Sequence, residues 1–215
     1  MKFTTLTKLH THYNSTCECK LKNTATQAVF GSGNAKARVV FIGEAPGAKE
    51  DKTGIPFVGA AGKFLDEMLQ SVKMDRADVY ITNTVKYRPP ENRDPTPEEK
   101  QQCRAWLVAE LNFIKPDIIV FLGRHAMNSF FPELSISDAH GKIIDTEKHK
   151  DLNIKINKNS KSDTLKKEES VVAELKTTHF LPLYHPAAAL YNGGMRATLL
   201  KDFKQIPKIL KKITK

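Results

Sequence analysis

Three short segments of this chain put side chains capable of acid–base and hydrogen-bond chemistry directly beside an apolar run. Gly43-Glu44-Ala45-Pro46-Gly47 follows the first run and leads on to Glu50, Asp51 and Gly54-Ile55-Pro56-Phe57-Val58-Gly59-Ala60-Ala61-Gly62. Asn83 and Lys86 close the second, ahead of Tyr87-Arg88-Pro89-Pro90-Glu91-Asn92-Arg93. His185 closes the third, in Tyr184-His185-Pro186-Ala187-Ala188-Ala189-Leu190. The glycines of the first segment let backbone approach a ligand closely, and its N–H groups lead into a helix start. A phosphate loop has the same ingredients, but no Gly-Lys-Ser/Thr follows, so the Walker pattern is absent. Asn83 is either a turn-former or, in a pocket, a donor and an acceptor side by side. His185 alone reads more readily as structural than as catalytic. An acid, an amide and an imidazole delivered to one edge of one sheet carry more weight than any of them singly.

The elements that must deliver them are legible. Continuous apolar runs predict strands over 37–43, 79–85, 117–123 and 180–184. Helical spacing of Phe64, Leu65, Met68 and Leu69 predicts a helix over 60–72. A second helix starts at Thr96 as N-cap, with Pro97 in its first position and Glu99 placed for a capping box; its apolar stripe takes in Cys103, Trp106, Leu107, Leu111 and Ile114. A short helix is expected over 124–131 and a final helix over 198–210. Strand–helix alternation of this kind builds a parallel sheet covered on both faces, with ligands just beyond the carboxyl ends of its strands.

Composition sets the frame. The 215 residues suit a single domain, with a polar Lys/Asn/Ser-rich insertion over 145–176 and a possible short helix at 166–175 inside it. No run of eighteen apolar residues occurs, which argues against a membrane span. The first residues lack the apolar stretch of a signal peptide, so a cytoplasmic location is expected. Cys17, Cys19 and Cys103 are the three cysteines, too few and too odd a set for a disulfide scaffold. With 34 Lys and Arg against 24 Asp and Glu, the net charge of +10 favours an anionic partner, nucleic acid ahead of a membrane surface.

In order and spacing, the first segment, the Asn83–Arg93 segment and His185–Leu190 together resemble the family 4 uracil-DNA glycosylases, from about Cys19 to the final helix apart from the insertion. The resemblance implies a three-layer α/β/α sandwich around a four-stranded parallel sheet, and hydrolysis of the glycosidic bond of uracil in single- or double-stranded DNA by a monomer. It implies that Phe57 stacks on the flipped base, that Asn83 donates to uracil O4 and accepts from N3–H, and that backbone at Glu44 and Ala45 completes the pocket. His185 would donate to O2 as negative charge builds on the leaving base. Glu50 matches an acidic site position, with a role at the pocket floor or the sugar. Lys86, Arg88 and Arg196 are expected on DNA phosphates, and Ala188 and Leu190 in the loop that wedges into the base stack. A related branch orients the attacking water with an Asp where this chain has Ala45. That leaves leaving-group stabilisation and cation-like sugar chemistry, with Glu50 as the nearby carboxylate.

The resemblance also implies a four-iron four-sulfur cluster held by four Cys. Here only Cys19 and Cys103 match; Thr16 holds the first position, with Cys17 one place late, and Tyr87 holds the third. No cluster is therefore expected, and Tyr87 is expected to fill its space. A zinc site from His10, His12, Cys17 and Cys19 departs from the usual ligand spacings. The rival class is a protein that binds uracil-DNA without turnover or traps it covalently. Covalently trapping relatives carry an Arg-rich, His-containing loop after the second strand, whereas Tyr87-Arg88-Pro89-Pro90 is the ordinary glycosylase form.

Overall fold

The computed structural model describes residues 4–145 and 179–213, so the insertion, with the helix expected at 166–175, lies outside the described residues. In chain order the elements are α1 (Leu6–Thr16), β1 (Ser32–Gly33), β2 (Val39–Gly43), α2 (Ala48–Thr53), α3 (Ala60–Ser71), β3 (Tyr80–Asn83), α4 (Pro97–Ile114), β4 (Ile118–Leu122), α5 (Arg124–Asn128), α6 (Ile136–Ala139), β5 (Ile144–Asp145), β6 (His179–Leu183), α7 (Ala188–Tyr191), α8 (Gly193–Phe203) and α9 (Gln205–Ile213).

The sheet order is β1-β3-β2-β4-β6-β5. The inner strands β3, β2, β4 and β6 run parallel, as the sequence predicts. Two-residue strands β1 and β5 pair antiparallel at the two edges, so the sheet has six strands rather than four. Two residues carry no periodicity, which is why these edges escape a sequence reading; short edge strands of this sort blunt a sheet against further pairing. The inner strands read as unbroken apolar runs because both faces are covered. Val39, Phe41, Ile118, Val120 and Leu122 pack on one side with α3, α8 and α9, where the Phe41 and Phe203 rings stack at 5.4 Å. Val40, Ile42, Ile119 and Phe121 pack on the other side with α4 and α5. This is the three-layer α/β/α sandwich.

Local signals set the helix ends that matter to the site. Thr96 Oγ1 accepts from Glu99 N at 3.2 Å and Glu99 Oε2 accepts from Thr96 N at 2.8 Å, the expected capping box. Arg93 adds two bonds to the same carboxylate, at 2.9 and 2.6 Å, which fasten the end of the Tyr87–Arg93 loop to α4. The helix expected over 198–210 is two helices, α8 and α9. Pro207 has no N–H to continue the first, but is tolerated in the opening turn of the second. The sequence reading has no counterpart to α1: its sequence is polar, and it buries only Leu9 and Tyr13. Among the described residues, no helix is long and apolar enough to cross a membrane.

Candidate active site

The carboxyl ends of the four parallel strands deliver Glu44 (after β2), Asn83 (at the end of β3), Arg124 and His125 (after β4) and His185 (after β6) to one edge. Gly43 and Asn83 are register partners, and a Cβ on Gly43 would lie 2.4 Å from Asn83 Oδ1 and 2.5 Å from the Phe57 ring. Only glycine lets the amide and the ring close on this spot. The Phe57 and His185 rings stand 5.9 Å apart at 33°. Asn83 is buried, and its Oδ1 has no hydrogen-bond partner among the described residues. A buried acceptor left open beside an aromatic ring and an imidazole is the mark of a site built for a polar, planar ligand.

His185 Nδ1 accepts from Ala187 N at 3.2 Å, which assigns the proton of the neutral ring to Nε2. Burial, and secondarily the charge of His125, push the imidazole down to about 4, so the ring is neutral at physiological pH and offers Nε2–H as a donor. The Glu44 carbonyl is held by Thr84 Oγ1 at 2.5 Å and Val85 N at 3.2 Å, which fixes the first-segment backbone against β3. Ala45 is half-buried and packs toward the cysteine-containing cluster at the N-terminal side of the molecule.

Phe57 is buried with φ of 55°, a left-handed conformation that costs a non-glycine residue about 1–2 kcal/mol. Three features impose it. Glu50 Oε1 accepts from Val58 N at 2.9 Å and Gly59 N at 2.7 Å, capping the entry to α3. Arg76 donates Nη1 to Pro56 O at 3.1 Å and Nη2 to Phe57 O. A Cβ on Gly62 would lie 1.8 Å from Phe57 O, so the helix must present glycine there. The Glu50 carboxylate, expected at the sugar or the pocket floor, thus has one oxygen committed to the loop that carries Phe57.

Lys86 corrects the sequence reading outright. It is 1% exposed, and its Nζ contacts Glu110 Oε2 and Thr82 Oγ1, each at 2.6 Å, and Asn83 O at 3.0 Å, so it cannot meet a DNA phosphate. It fixes the backbone of Asn83 instead. Arg88 is half-buried and turned back on Asn92 Oδ1 at 2.8 Å. Arg196 is exposed, pairs with Glu67 and lies over the Phe64 ring at 4.6 Å. Ala188 begins α7, and Leu190 is 46% exposed. Tyr191, which the sequence reading does not single out, is 90% exposed beside it.

Sequence reasoning also misses the polar group after β4. His125 Nε2 lies 3.0 Å from Asp94, and its Nδ1 lies 2.9 Å from Lys100 Nζ and 3.6 Å from Glu44 Oε1. The signal was available: Arg124 and His125 follow an apolar strand just as Glu44 and His185 do. Burial, then the charge of Asp94, push the Glu44 carboxyl up to about 7, against the pull of Lys100 and Arg124. Glu44, Asp94 and His125 bring one ligand atom each within 4.8 Å of one another, and are the only such trio among the described residues. Lys100 and Arg124 already supply the cationic charge there, which disfavours a metal ion.

The cluster that family 4 implies does not fit the residues present. Cys17, Cys19 and Cys103 are all buried in one group with Tyr13 and Tyr87. Thr16 faces outward, its Oγ1 bonded to His12 O at 2.7 Å, and Cys17 takes the inward place. Tyr13 reaches Cys103 Sγ at 3.4 Å and stacks on Tyr87 at 5.7 Å, so two phenol rings pack against the thiol group. Hydrogen bonding to Cys103 and burial raise the Cys17 thiol, whereas hydrogen bonding to Cys103 lowers that of Cys19. Three thiols and a phenol do not make a four-thiolate site. The zinc alternative is not assembled either: His10 bonds Glu110 at 3.0 Å and stacks on Phe30 at 4.2 Å, while His12 lies against Trp106.

Residues 30–212 match the model of the uracil DNA glycosylase superfamily. The type-4 uracil-DNA glycosylase of Archaeoglobus fulgidus is 45% identical over 88% of this chain and 85% of its own length. That of Sulfurisphaera tokodaii is 41% identical over 94% and 83%, and that of Thermotoga maritima 37% identical over 90% and 88%. With the pocket at the carboxyl edge of its sheet and these relatives spanning nearly its whole length, the chain belongs to the uracil DNA glycosylase superfamily.

Proposed function

We propose that this protein is a DNA-repair glycosylase that hydrolyses the bond between uracil and deoxyribose in DNA. The observation that carries the reading is the open Oδ1 of buried Asn83, facing the space shared with Phe57 and His185. Uracil turned out of the stack presents N3–H to Oδ1 and O4 to the amide N–H. Cytosine presents an acceptor and a donor at those places, so the same amide rejects it at about 1–3 kcal/mol for each wrong buried pairing. Phe57 covers the ring, and backbone at Glu44 and Ala45 closes the pocket edge. As the C1′–N1 bond breaks, its electron pair spreads to N1 and O2, and His185 Nε2–H receives the charge on O2. Water then bonds to C1′ and gives up a proton, and the uracil anion takes one up, so that the products are the free base and a deoxyribose hydroxyl.

Ala45 has only a methyl group, which cannot orient that water, so the rate rests on stabilising the leaving base. The exposed Leu190 enters the gap left by the flipped nucleotide, and the exposed Arg196 meets a DNA phosphate. The protein acts on single- or double-stranded DNA as a monomer. Incubation with a uracil-containing oligonucleotide, followed by alkali cleavage and mass analysis, tests the reading. Alkali-labile strands with unmodified protein are expected. A protein–DNA adduct without turnover would establish the covalent trap instead, and intact DNA would sink the assignment.

A further inference from the structure

We infer that Arg76 is a positioning residue for base recognition: it holds Phe57 in the conformation that stacks on uracil, opposite the Glu50 carboxylate. Arg76 lies between α3 and β3, away from the strand ends that carry Asn83 and His185. Its Nε is fixed by Asp66 Oδ1 at 2.6 Å, which aims the guanidinium at the chain across from it. From there Nη1 takes Pro56 O and Nη2 takes Phe57 O, the carbonyls on either side of the left-handed residue. On the far side Glu50 Oε1 takes the next two N–H groups, of Val58 and Gly59. Successive carbonyls and successive N–H groups are therefore gripped by opposite charges. A left-handed phenylalanine persists only where its surroundings over-determine it. Relaxation of φ at Phe57 would swing the ring out of the space that Gly43 leaves beside Asn83. The planar fork of arginine serves two carbonyls at once, which lysine, a point donor, does not.

The inference rests on uracil as the ligand, and the test separates the two. Binding of 5-fluorouracil is followed by 19F NMR in the wild type, Arg76→Met, Phe57→Leu and the double variant, with thermal unfolding of each. In the wild type the fluorine should shift upfield under the Phe57 ring. Arg76→Met should weaken binding on the order of tenfold, within what one base–aromatic stack contributes, and lose most of that shift. In the double variant the loss should be no greater than in Phe57→Leu alone, because Arg76 acts through the ring. A merely structural role would lower the unfolding temperature equally in both backgrounds and leave the shift in place. Should Arg76→Met fail to fold, Asp66→Asn, which frees the guanidinium without removing it, should show the same loss of shift in smaller measure. Full additivity, or a wild-type shift in Arg76→Met, or in Asp66→Asn where that stands in, would overturn the inference while leaving uracil as the ligand. A wild-type protein that neither binds 5-fluorouracil nor excises uracil would overturn the pocket, and the clamp with it.

Discussion

Asn83 and His185 are expected to fail in different ways, because in the proposed function one reads the base and the other receives its charge. His185→Ala removes a single preorganised donor and should lower kcat about a hundred- to a thousand-fold with little change in KM. Asn83→Asp keeps an acceptor but loses the donor to O4, so it should raise KM for uracil and narrow the margin over cytosine. Steady-state kinetics on uracil and cytosine oligonucleotides separate the two effects; if the alanine variants of both residues excise at the wild-type rate, the pocket is misassigned. These two residues and Phe57 were legible because motif order brings them to known places on a parallel sheet. Lys86 was not. A lysine just past a strand reads as solvent-facing, and nothing local reveals that Glu110, on a helix further along the chain, draws it inward. Glu50 was legible as a match to an acidic position of the family but not as the cap of the Phe57 loop, since its partners are backbone N–H groups that sequence does not distinguish.

In the proposed function the loop after β6 meets DNA, while helix faces hold the strand ends in place. Leu190 sits on α7, immediately after the His185 loop, and is half-exposed although apolar. If it props the stack apart, Leu190→Gly should slow excision from duplex several-fold more than from single strands, where no stack needs holding open. Equal slowing on both would remove the wedge role. Behind the strands, Glu110 on α4 gathers Lys86, Thr82, Tyr80 and, from α1, His10. Burial alone would raise its carboxyl, but Lys86 and His10 outweigh it and hold the group well below the ordinary glutamate value of about 4.3. A carboxyl depressed in the folded state stabilises the fold at pH above that ordinary value. That contribution fades as pH falls toward the depressed pKa. Glu110→Gln should therefore flatten the acid limb of the stability profile. At neutral pH it should cost about 3–5 kcal/mol by leaving Lys86 buried without its counter-charge. Chemical denaturation of both proteins across pH 3–7 would check this, and parallel profiles would refute it. The strands on this network were legible as apolar runs. The helix α1 that closes it was not, because tertiary contacts through Tyr13 and His10 supply the stability that its polar sequence lacks.

At the scale of the whole molecule, two core clusters follow from strand alternation and cover the faces of the sheet, and a third joins the N-terminal segment to the β3 loop and α4. This third cluster is where the relationship to family 4 and the residues actually present diverge. The sequence exposes two of the four expected ligand positions as altered. It does not show that Cys17 turns inward, or that Tyr13 from α1 joins Tyr87 against the thiols, since both depend on how α1 docks. The tie that a cluster would supply is made by aromatic contact: Tyr13 meets Phe30 edge-on at 5.5 Å and Trp106 at 5.1 Å, besides its stack on Tyr87. Offset and edge-on pairs of this kind are worth about 0.5–1.5 kcal/mol each beyond the area they bury. Binding a cluster in this volume would require expelling the phenol rings and ionising thiols. Burial opposes ionisation of Cys17 and Cys103, and Cys103 is pushed up to about 11, where bonding to Cys17 lowers it but bonding to Cys19 and burial raise it; Cys19 alone is lowered, by its bond to Cys103. Protein purified without oxygen should accordingly be colourless, with no broad visible charge-transfer absorption and no stoichiometric iron, and iron chelators should leave its unfolding temperature unchanged. Tyr13→Ala should loosen the N-terminal segment and lower that temperature, as the loss of a buried aromatic does, by about 3–5 kcal/mol in stability. A brown preparation with about four irons per chain, the full complement of the family's cluster, would reverse the argument and require a ligand besides cysteine to complete the site.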